Sequence, residues 1–382
     1  MKKTYFYLFS ATLVSVIIFG WRIPVSGTGG FQKELATLST IAGLVETSYF
    51  QEVAAERLFR GAVNGLLKTL DPYSLYLDAK TYQEFKGDNE GRFAGTGMEV
   101  SVKGGVLHII APLDGSPAFE ADLRAGDVIT KIDGVVTKDM ALGDAVQRLR
   151  GASGTTVVLT VVRDEERNPL EFKVLRRFLD VRGIREVKTL ENGIVYIRIA
   201  EFQKHTAQDF TEAAKTFGLN KGQGLVIDLR NNPGGLLDAA VKVAENFIPK
   251  GKSIVLTRGR NKKKSRVLVS HNESPLIPGP IAVLVNKGSA SGSEILAGAL
   301  QDYGLARLFG HKTYGKGCVQ TLTPLPDGSA VRITTSLYYT PKGRLIHEIG
   351  IAPDEEIIED PKKEEDRALS FALAWITNEK NR

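Results

Sequence analysis

Ser291, Lys316 and Gln320 are the residues of this chain whose types and setting suit bond-breaking chemistry. Ser291 lies in Gly288-Ser-Ala-Ser-Gly-Ser-Glu294, Lys316 in Tyr314-Gly-Lys-Gly317, and Gln320 a few residues later. A serine hydroxyl becomes a nucleophile when a base takes its proton. A lysine amine can be that base if burial keeps it neutral. Such a pair hydrolyses peptides without a histidine. Gln320 carries no charge, so it can orient the amine without raising its pKa as a carboxylate would. Ser289 and Ser293 are the local alternatives for nucleophile, and alternation along the segment points them elsewhere. His108, His205, His271, His311 and His347 lie in no recognisable triad motif. Cys318 is the one cysteine, which excludes an internal disulfide, and it reads as a small packed thiol.

Peptide hydrolysis also requires donors for the developing oxyanion. Gly292 follows the serine at a predicted strand-to-helix junction, where helix N–H groups are unpaired and the dipole favours negative charge. A second donor is expected from Gly234 or Gly235 in Arg230-Asn-Asn-Pro-Gly-Gly235. Glycine suits both places because a substrate backbone must approach closely.

The elements that must hold these groups are legible as strand–loop–helix units. Gly224-Leu-Val-Ile-Asp-Leu229 and Ile281-Ala-Val-Leu-Val285 are apolar runs of the buried-strand type. Leu236, Leu237, Ala240, Val241, Ala244 and Phe247 give a helical stripe after the first, and Glu294–Leu300 a helix after the second. The span from Phe31 to Lys86 reads as helical, and its second periodic run, from Ala54 to Leu67, ends at Asp71-Pro72. From Gly91 to Phe178 the texture changes to short strands and turns.

Length and composition set bounds. The chain has 382 residues, 25% charged and 42% apolar, with a formal net charge of +6. That supports two or three folded domains and gives no argument for nucleic acid. The most basic stretch, Arg258 to Arg266, reads as a solvated hairpin tip. Lys2 and Lys3 precede an uncharged apolar run from Thr4 to Trp21. This reads as an export signal or an uncleaved membrane anchor, which places the rest outside the cytoplasm, in a bacterial envelope.

Two resemblances follow. Leu123-Arg-Ala-Gly-Asp-Val-Ile129 with Ile132-Asp-Gly134 resembles the PDZ domains of bacterial proteases. That likeness implies that Gly95, Thr96, Gly97 and Met98 offer N–H groups to a peptide's terminal carboxylate, while the peptide adds a strand to the sheet edge. Asp228-Leu-Arg-Asn-Asn-Pro-Gly-Gly235, Gly288-Ser-Ala-Ser-Gly-Ser-Glu-Ile295 and Gly315-Lys-Gly317 together resemble the C-terminal processing, or tail-specific, proteases, a Ser-Lys peptidase family. The family implies Ser291 as nucleophile, Lys316 as base, Gln320 as its assistant, and no metal or cofactor. It departs at Gly292, where alanine is commoner, though the backbone donor survives. It also implies that Arg150 links the PDZ domain to the core.

The expected architecture is therefore a multidomain α/β (α+β) chain. It has an export segment (1–26), an N-terminal helical region for capping or dimerisation (30–90) and an inserted PDZ domain (91–178). A crotonase/ClpP-like α/β protease core (179–358) and a helical tail (359–382) complete it. The expected partners are proteins with exposed apolar C-termini, a second copy of the chain and an adaptor. A non-catalytic binding protein and a crotonase-like acyl-CoA enzyme are the competing readings. Retention of serine and lysine argues against the first, and the Lys316 motif with the PDZ-like insertion against the second.

Overall fold

The computed structural model describes residues 31–88, 93–163, 166, 168–179, 182–219, 224–260, 265–276, 278–358 and 365–381. The apolar N-terminal run and Lys262, Lys263 and Lys264 lie outside the described residues. Among the described residues no helix is long and apolar enough to cross a membrane. The chain forms two compact units, one up to Ala62 and one from Val63 to Arg382.

In the first unit, α1 (Phe31–Ser48) carries apolar residues at helical spacing yet buries none of them. Phe31, Leu35, Leu38, Ile41 and Leu44 are all exposed. Helix α2 (Ala55–Lys68) ends in the second unit, where Leu67 is buried. There β1 (Leu75–Leu77) and α3 (Ala79–Asp88) follow.

The strand-rich region begins with β2 (Phe93–Gly95), β3 (Met98–Lys103), β4 (Val106–Pro112) and the single turn α4 (Pro117–Glu120). It continues through β5 (Val128–Ile132), β6 (Val135–Val136), α5 (Leu142–Leu149), β7 (Thr156–Val162), β8 (Leu170–Leu175) and β9 (Arg177–Leu179). Its sheet runs β3-β4-β5-β7-β8, which leaves β3 at an edge. Strand β7 shows why it folds so: Val157, Leu159 and Val161 alternate inward with period two. Strand β2 pairs antiparallel with β9, so the incoming and outgoing chains of this insertion are zipped together.

The core opens with β10 (Ile184–Thr189), β11 (Val195–Ile199), α6 (Thr206–Thr216), β12 (Leu225–Asp228) and α7 (Leu237–Glu245). Then come β13 (Ser253–Gly259), β14 (Arg266–Val269), β15 (Ile281–Val285), α8 (Gly292–Asp302) and β16 (Ala306–Gly310). The last elements are β17 (Cys318–Pro324), β18 (Ala330–Tyr339), β19 (Glu355–Glu356) and α9 (Arg367–Lys380). One sheet runs β10-β11-β12-β15-β16-β19 and is parallel from β11 onward. Its central strands β12 and β15 are buried at every residue, as apolar runs covered on both faces must be. Helices α6, α7 and α8 share one apolar cluster with one face, and α9 covers the other.

A second sheet, β1-β18-β13-β14 with β17 also on β18, is antiparallel. Gln320 lies in β17. The two sheets bring the loops after β12, β15 and β16 to one end of the core. Helix α9 closes the opposite face, with Ile376 fully buried against Gly224. Ile376→Ala should cost about 2–5 kcal/mol, the range for a truncation that leaves a core cavity. Urea unfolding checks this, with an unchanged m-value expected.

Candidate active site

Ser291 caps α8 with φ 51° and ψ −108°, a left-handed conformation for a residue with a side chain. Such a turn costs on the order of 1–3 kcal/mol and persists only where its surroundings hold it. They do so here. Ala290 N–H donates to Asn232 O at 2.9 Å, tying the serine loop to the glycine loop. Ser289 Oγ donates to Leu229 O at 2.8 Å and Ser293 Oγ to Asn232 O at 2.9 Å, and both serines are fully buried. The two rival hydroxyls thus fasten the loops together, and Ser291 alone of the three is partly exposed.

The glycine loop approaches as closely as its residue type allows. Gly234 (φ 109°) has no room for a side chain: a Cβ there would lie 2.6 Å from Ser291 Cβ. At Gly235 (φ 126°) a Cβ would meet Phe202 O at 2.3 Å. Of the two expected donors, the Gly234 N–H is already given to Asn232 Oδ1 at 2.9 Å. The Gly292 N–H opens α8 and has no intrahelical acceptor. Beneath the loop, Asp228 is fully buried and accepts from Tyr196, Arg198 and Arg230. Burial pushes its carboxyl up, but Arg230 and Arg198 outweigh that and hold it below the usual range.

Glu294 joins the two halves of the site. One oxygen accepts from Ser291 N at 2.9 Å and Lys316 N at 2.8 Å, the other from Gly315 N and Thr313 Oγ1, each at 2.6 Å. The carboxylate is fully buried, and burial pushes its pKa up to about 7 against the pull of those four donors. The spacing Ser291-x-x-Glu294 is a capping-box signal that the sequence analysis left unused.

The hydrogen bond of the Lys316 amine goes to Glu99 and not to Ser291. Its Nζ donates to Glu99 Oε1 at 2.8 Å, and the Tyr73 ring lies 5.8 Å from it. The ammonium side is 17% exposed and the carboxylate side 43%. Burial favours the neutral acid at Glu99, but Lys316, then Arg332 and Arg150, hold its pKa below the ordinary value. The amine expected at the serine is thus paired with a carboxylate in this arrangement, supplied by a strand 217 residues away in sequence. Gln320 does not orient it either: its Nε2 is buried with no partner. A register shift at Val319/Gln320 turns this side chain relative to its neighbours.

The Gly95–Met98 loop is built against α4. Thr96 O accepts from Ala118 N, and Gly97 O accepts from Leu113 N and Ser116 Oγ. Because a trans peptide points C=O and the next N–H in opposite directions, the N–H groups of Gly97 and Met98 face away from α4. Gly95 itself pairs with Arg177 in the β2–β9 ribbon. Arg150 caps α5 through its backbone N–H to Val146 O, and its charge acts on Glu99. The firmest ion pair between insertion and core, which the sequence analysis missed, is Arg198 with Asp114 (Nη2–Oδ1 2.8 Å). Its arginine also reaches buried Asp228.

Comparison with known proteins bears on this geometry. The model of peptidase family S41 matches residues 193–357, that of the PDZ domain 108–163, and that of the activating protease CtpB N-terminal domain 25–81. A carboxy-terminal-processing protease of Bartonella bacilliformis is 37% identical over 378 residues, 98% of this chain and 86% of that protein. A probable CtpA-like serine protease of Staphylococcus aureus is 38% identical over 333 residues, 85% of this chain and 65% of that protein. The solved photosystem II D1 C-terminal processing protease superposes with a TM-score of 0.70 at 28% identity, over 86% of this chain and 94% of that one.

Glu294→Gln should lower peptide cleavage by about 100-fold or more, since an amide cannot accept from all four donors. Stability carries a second signature. A carboxyl raised from 4.5 to about 7 stabilises the fold fully below pH 4.5 and loses that contribution as pH rises through about 7. The urea midpoint of the wild type, referenced to Glu294→Gln, should therefore fall between pH 5 and 7.5. A constant difference would contradict the assignment.

Proposed function

The chain belongs to the S41 family of carboxy-terminal-processing serine proteases, and from that premise we propose an exported Ser–Lys endopeptidase held closed by its own PDZ domain until a protein C-terminus binds. The observation that carries this reading is the pair of loops fastened by Glu294. It sets Ser291, strained and partly exposed, in register with the lysine loop. Ser291 Oγ attacks the scissile carbonyl. The Lys316 amine takes its proton and passes it to the leaving amine, leaving an acyl-enzyme. Lys316 then takes a proton from water as the water oxygen attacks the ester, and returns that proton to Ser291 Oγ as the C–Oγ bond breaks, which frees acid product and serine. Gly292 N–H stabilises the oxyanion, with Gly235 opposite it. Gln320, whose amide lacks a partner in the closed arrangement, receives the amine when it swings toward Ser291.

Selection rests on β3. A C-terminal peptide that binds the Gly95–Met98 loop and pairs with the β3 edge engages the strand whose next residue is Glu99. Glu99 sits at a register shift between Glu99 and Val100, so the strand's course there sets where its carboxylate points. Ligand binding and release of the base are thereby one movement. The apolar run at Thr4–Trp21 supports export and envelope substrates. The exposed apolar stripe of α1 supports association with a second copy of the chain.

With an unstructured substrate bearing an apolar C-terminus, Ser291→Ala and Lys316→Ala should each reduce cleavage at least a thousandfold. Glu99→Gln should raise the basal rate on substrates without a binding tail about five- to tenfold and shrink the stimulation by a tail peptide. Unchanged cleavage in both Ser291→Ala and Lys316→Ala would overturn the dyad. Unchanged basal rate in Glu99→Gln would overturn the gate.

A further inference from the structure

Arg198, near the end of β11, spends one guanidinium on three acceptors from different parts of the chain. Its Nε and Nη2 form a fork on the Asp114 carboxylate, with Nη2–Oδ1 at 2.8 Å. Its Nη1 donates to Asp228 Oδ2 at 3.0 Å, and Nη2 also donates to Arg230 O at 3.3 Å. Asp114 belongs to the inserted domain, Asp228 ends β12, and Arg230 O opens the glycine loop. The Arg230–Asn231 peptide is thereby held on both sides. Its C=O accepts from Arg198, and its N–H donates to Asn286 Oδ1 at 2.9 Å. Asn286 itself opens the serine loop, accepting from Gly288 N and donating its own N–H to Ser289 Oγ. A trans peptide is one rigid plane, so fixing both groups fixes its rotation. From that plane Asn231, at φ 57°, starts the loop in the left-handed region. Further along, Gly234 passes so close to Ser291 that a Cβ would lie 2.6 Å from the serine Cβ.

We propose that Arg198 is a positioning residue for the oxyanion loop, and that the inserted domain supplies, through Asp114, the carboxylate that aims it. A guanidinium that gives two parallel N–H bonds to one carboxylate is fixed in plane as well as in place. Without Asp114, Arg198 keeps Asp228 but loses the fork that turns Nη2 toward Arg230 O. This inference rests on the Ser–Lys reading. It adds that the insertion completes the catalytic site as well as gating it.

The other tethers of this region do not replace that contact. Asp228 keeps Tyr196 and Arg230 when Arg198 is removed, so its charge stays paired. The Arg230 side chain is engaged by Asp228 and Asp366, which leaves its carbonyl to Arg198. Asn232 Nδ2 donates to Ile199 O and Phe202 N to Gly234 O, both beyond the Arg230–Asn231 plane. On either side of Asp114, Leu113 N and Ser116 Oγ hold Gly97 O. The tail-binding loop is therefore fixed without the Asp114 carboxylate, and the two tasks of the insertion are separable.

The test uses full-length protein carrying Glu99→Gln, so that no loss reports retention of the Lys316 amine by Glu99. In each variant kcat, KM, the affinity of a substrate-like peptide boronic acid and that of an apolar tail peptide are measured. Arg198→Met should lower kcat about tenfold or more and weaken the boronic acid, which forms a tetrahedral adduct on serine, by a similar factor. KM and tail-peptide affinity should stay within about threefold. Arg198→Lys, which offers no fork, should recover little of the loss. Asp114→Asn, which keeps the shape without the charge, should lower kcat about fivefold alone and less than about twofold when added to Arg198→Met. Urea unfolding identifies the folded variants. An unchanged kcat in folded Arg198→Met overturns the proposal. So does a loss confined to KM or to tail-peptide affinity, since that reports only docking of the insertion. Additive losses overturn the part given to Asp114. If Arg198→Met does not fold, Asp114→Asn decides alone, and an unchanged kcat and boronic-acid affinity there overturn the proposal. Cleavage surviving in Ser291→Ala and Lys316→Ala would instead overturn the underlying dyad.

Discussion

The site depends on one buried carboxylate. Glu294 accepts four hydrogen bonds, two from the backbone on either side of the nucleophile-to-base divide and two that brace the base's loop. Ser291 and Lys316 belong to different connections, one after β15 and one after β16. Nothing in a parallel sheet fixes such loops to each other. A carboxylate with no solvent exposure does, because every lone pair that loses a donor would be left unsatisfied. The arrangement resists ionisation, hence the raised pKa, but a charged acceptor is what the four donors need. The register of the Ser291 and Lys316 backbones is therefore maintained by an interaction that is electrostatically costly and geometrically exacting.

The serine loop obeys the same logic. Three serines alternate with small residues, and two of them spend their hydroxyls on carbonyls of the glycine loop. The left-handed turn at Ser291 follows from pinning its neighbours on both sides. Gly234 must then lack a side chain because Ser291 Cβ occupies that space. The serine, glycine and lysine loops form one hydrogen-bonded body, and the Lys316 side chain is the part of it whose position is set from outside.

Local pattern made the α/β core readable. The apolar runs at Leu225 and Ile281 became buried parallel strands. Ser291, Lys316 and the glycine loop were visible as glycine-flanked polar residues. Gln320 was visible as a residue but not as part of a strand, since β17 and β18 are held by antiparallel pairing and not by an apolar run. Glu99 and Arg198 were invisible as site residues. Their partners lie 217 and 84 residues away, and no periodicity reports a contact of that range. Glu294 was legible through its capping spacing, but its second bond set, to the lysine loop, was not.

Two ion pairs between the inserted domain and the core differ in what they can do. The Glu99–Lys316 pair has a carboxylate 43% exposed, so solvent screens it and its net worth is on the order of 1 kcal/mol or less. The Arg198–Asp114 pair is 17% and 7% exposed and backed by buried Asp228, so breaking it leaves charges without water. Moving a closed population from 99:1 to 1:99 takes about 5.5 kcal/mol of differential affinity, while a micromolar peptide supplies about 8 kcal/mol in total. Only the part of that affinity that distinguishes the two states counts. A lock built wholly of deep ion pairs would exceed it. In the proposed gating, a weak pair at Lys316 beside a stronger one at Arg198 falls within reach of a peptide that adds one strand. Under that proposal Glu99 is on that account the contact that yields, and Arg198–Asp114 the one that holds.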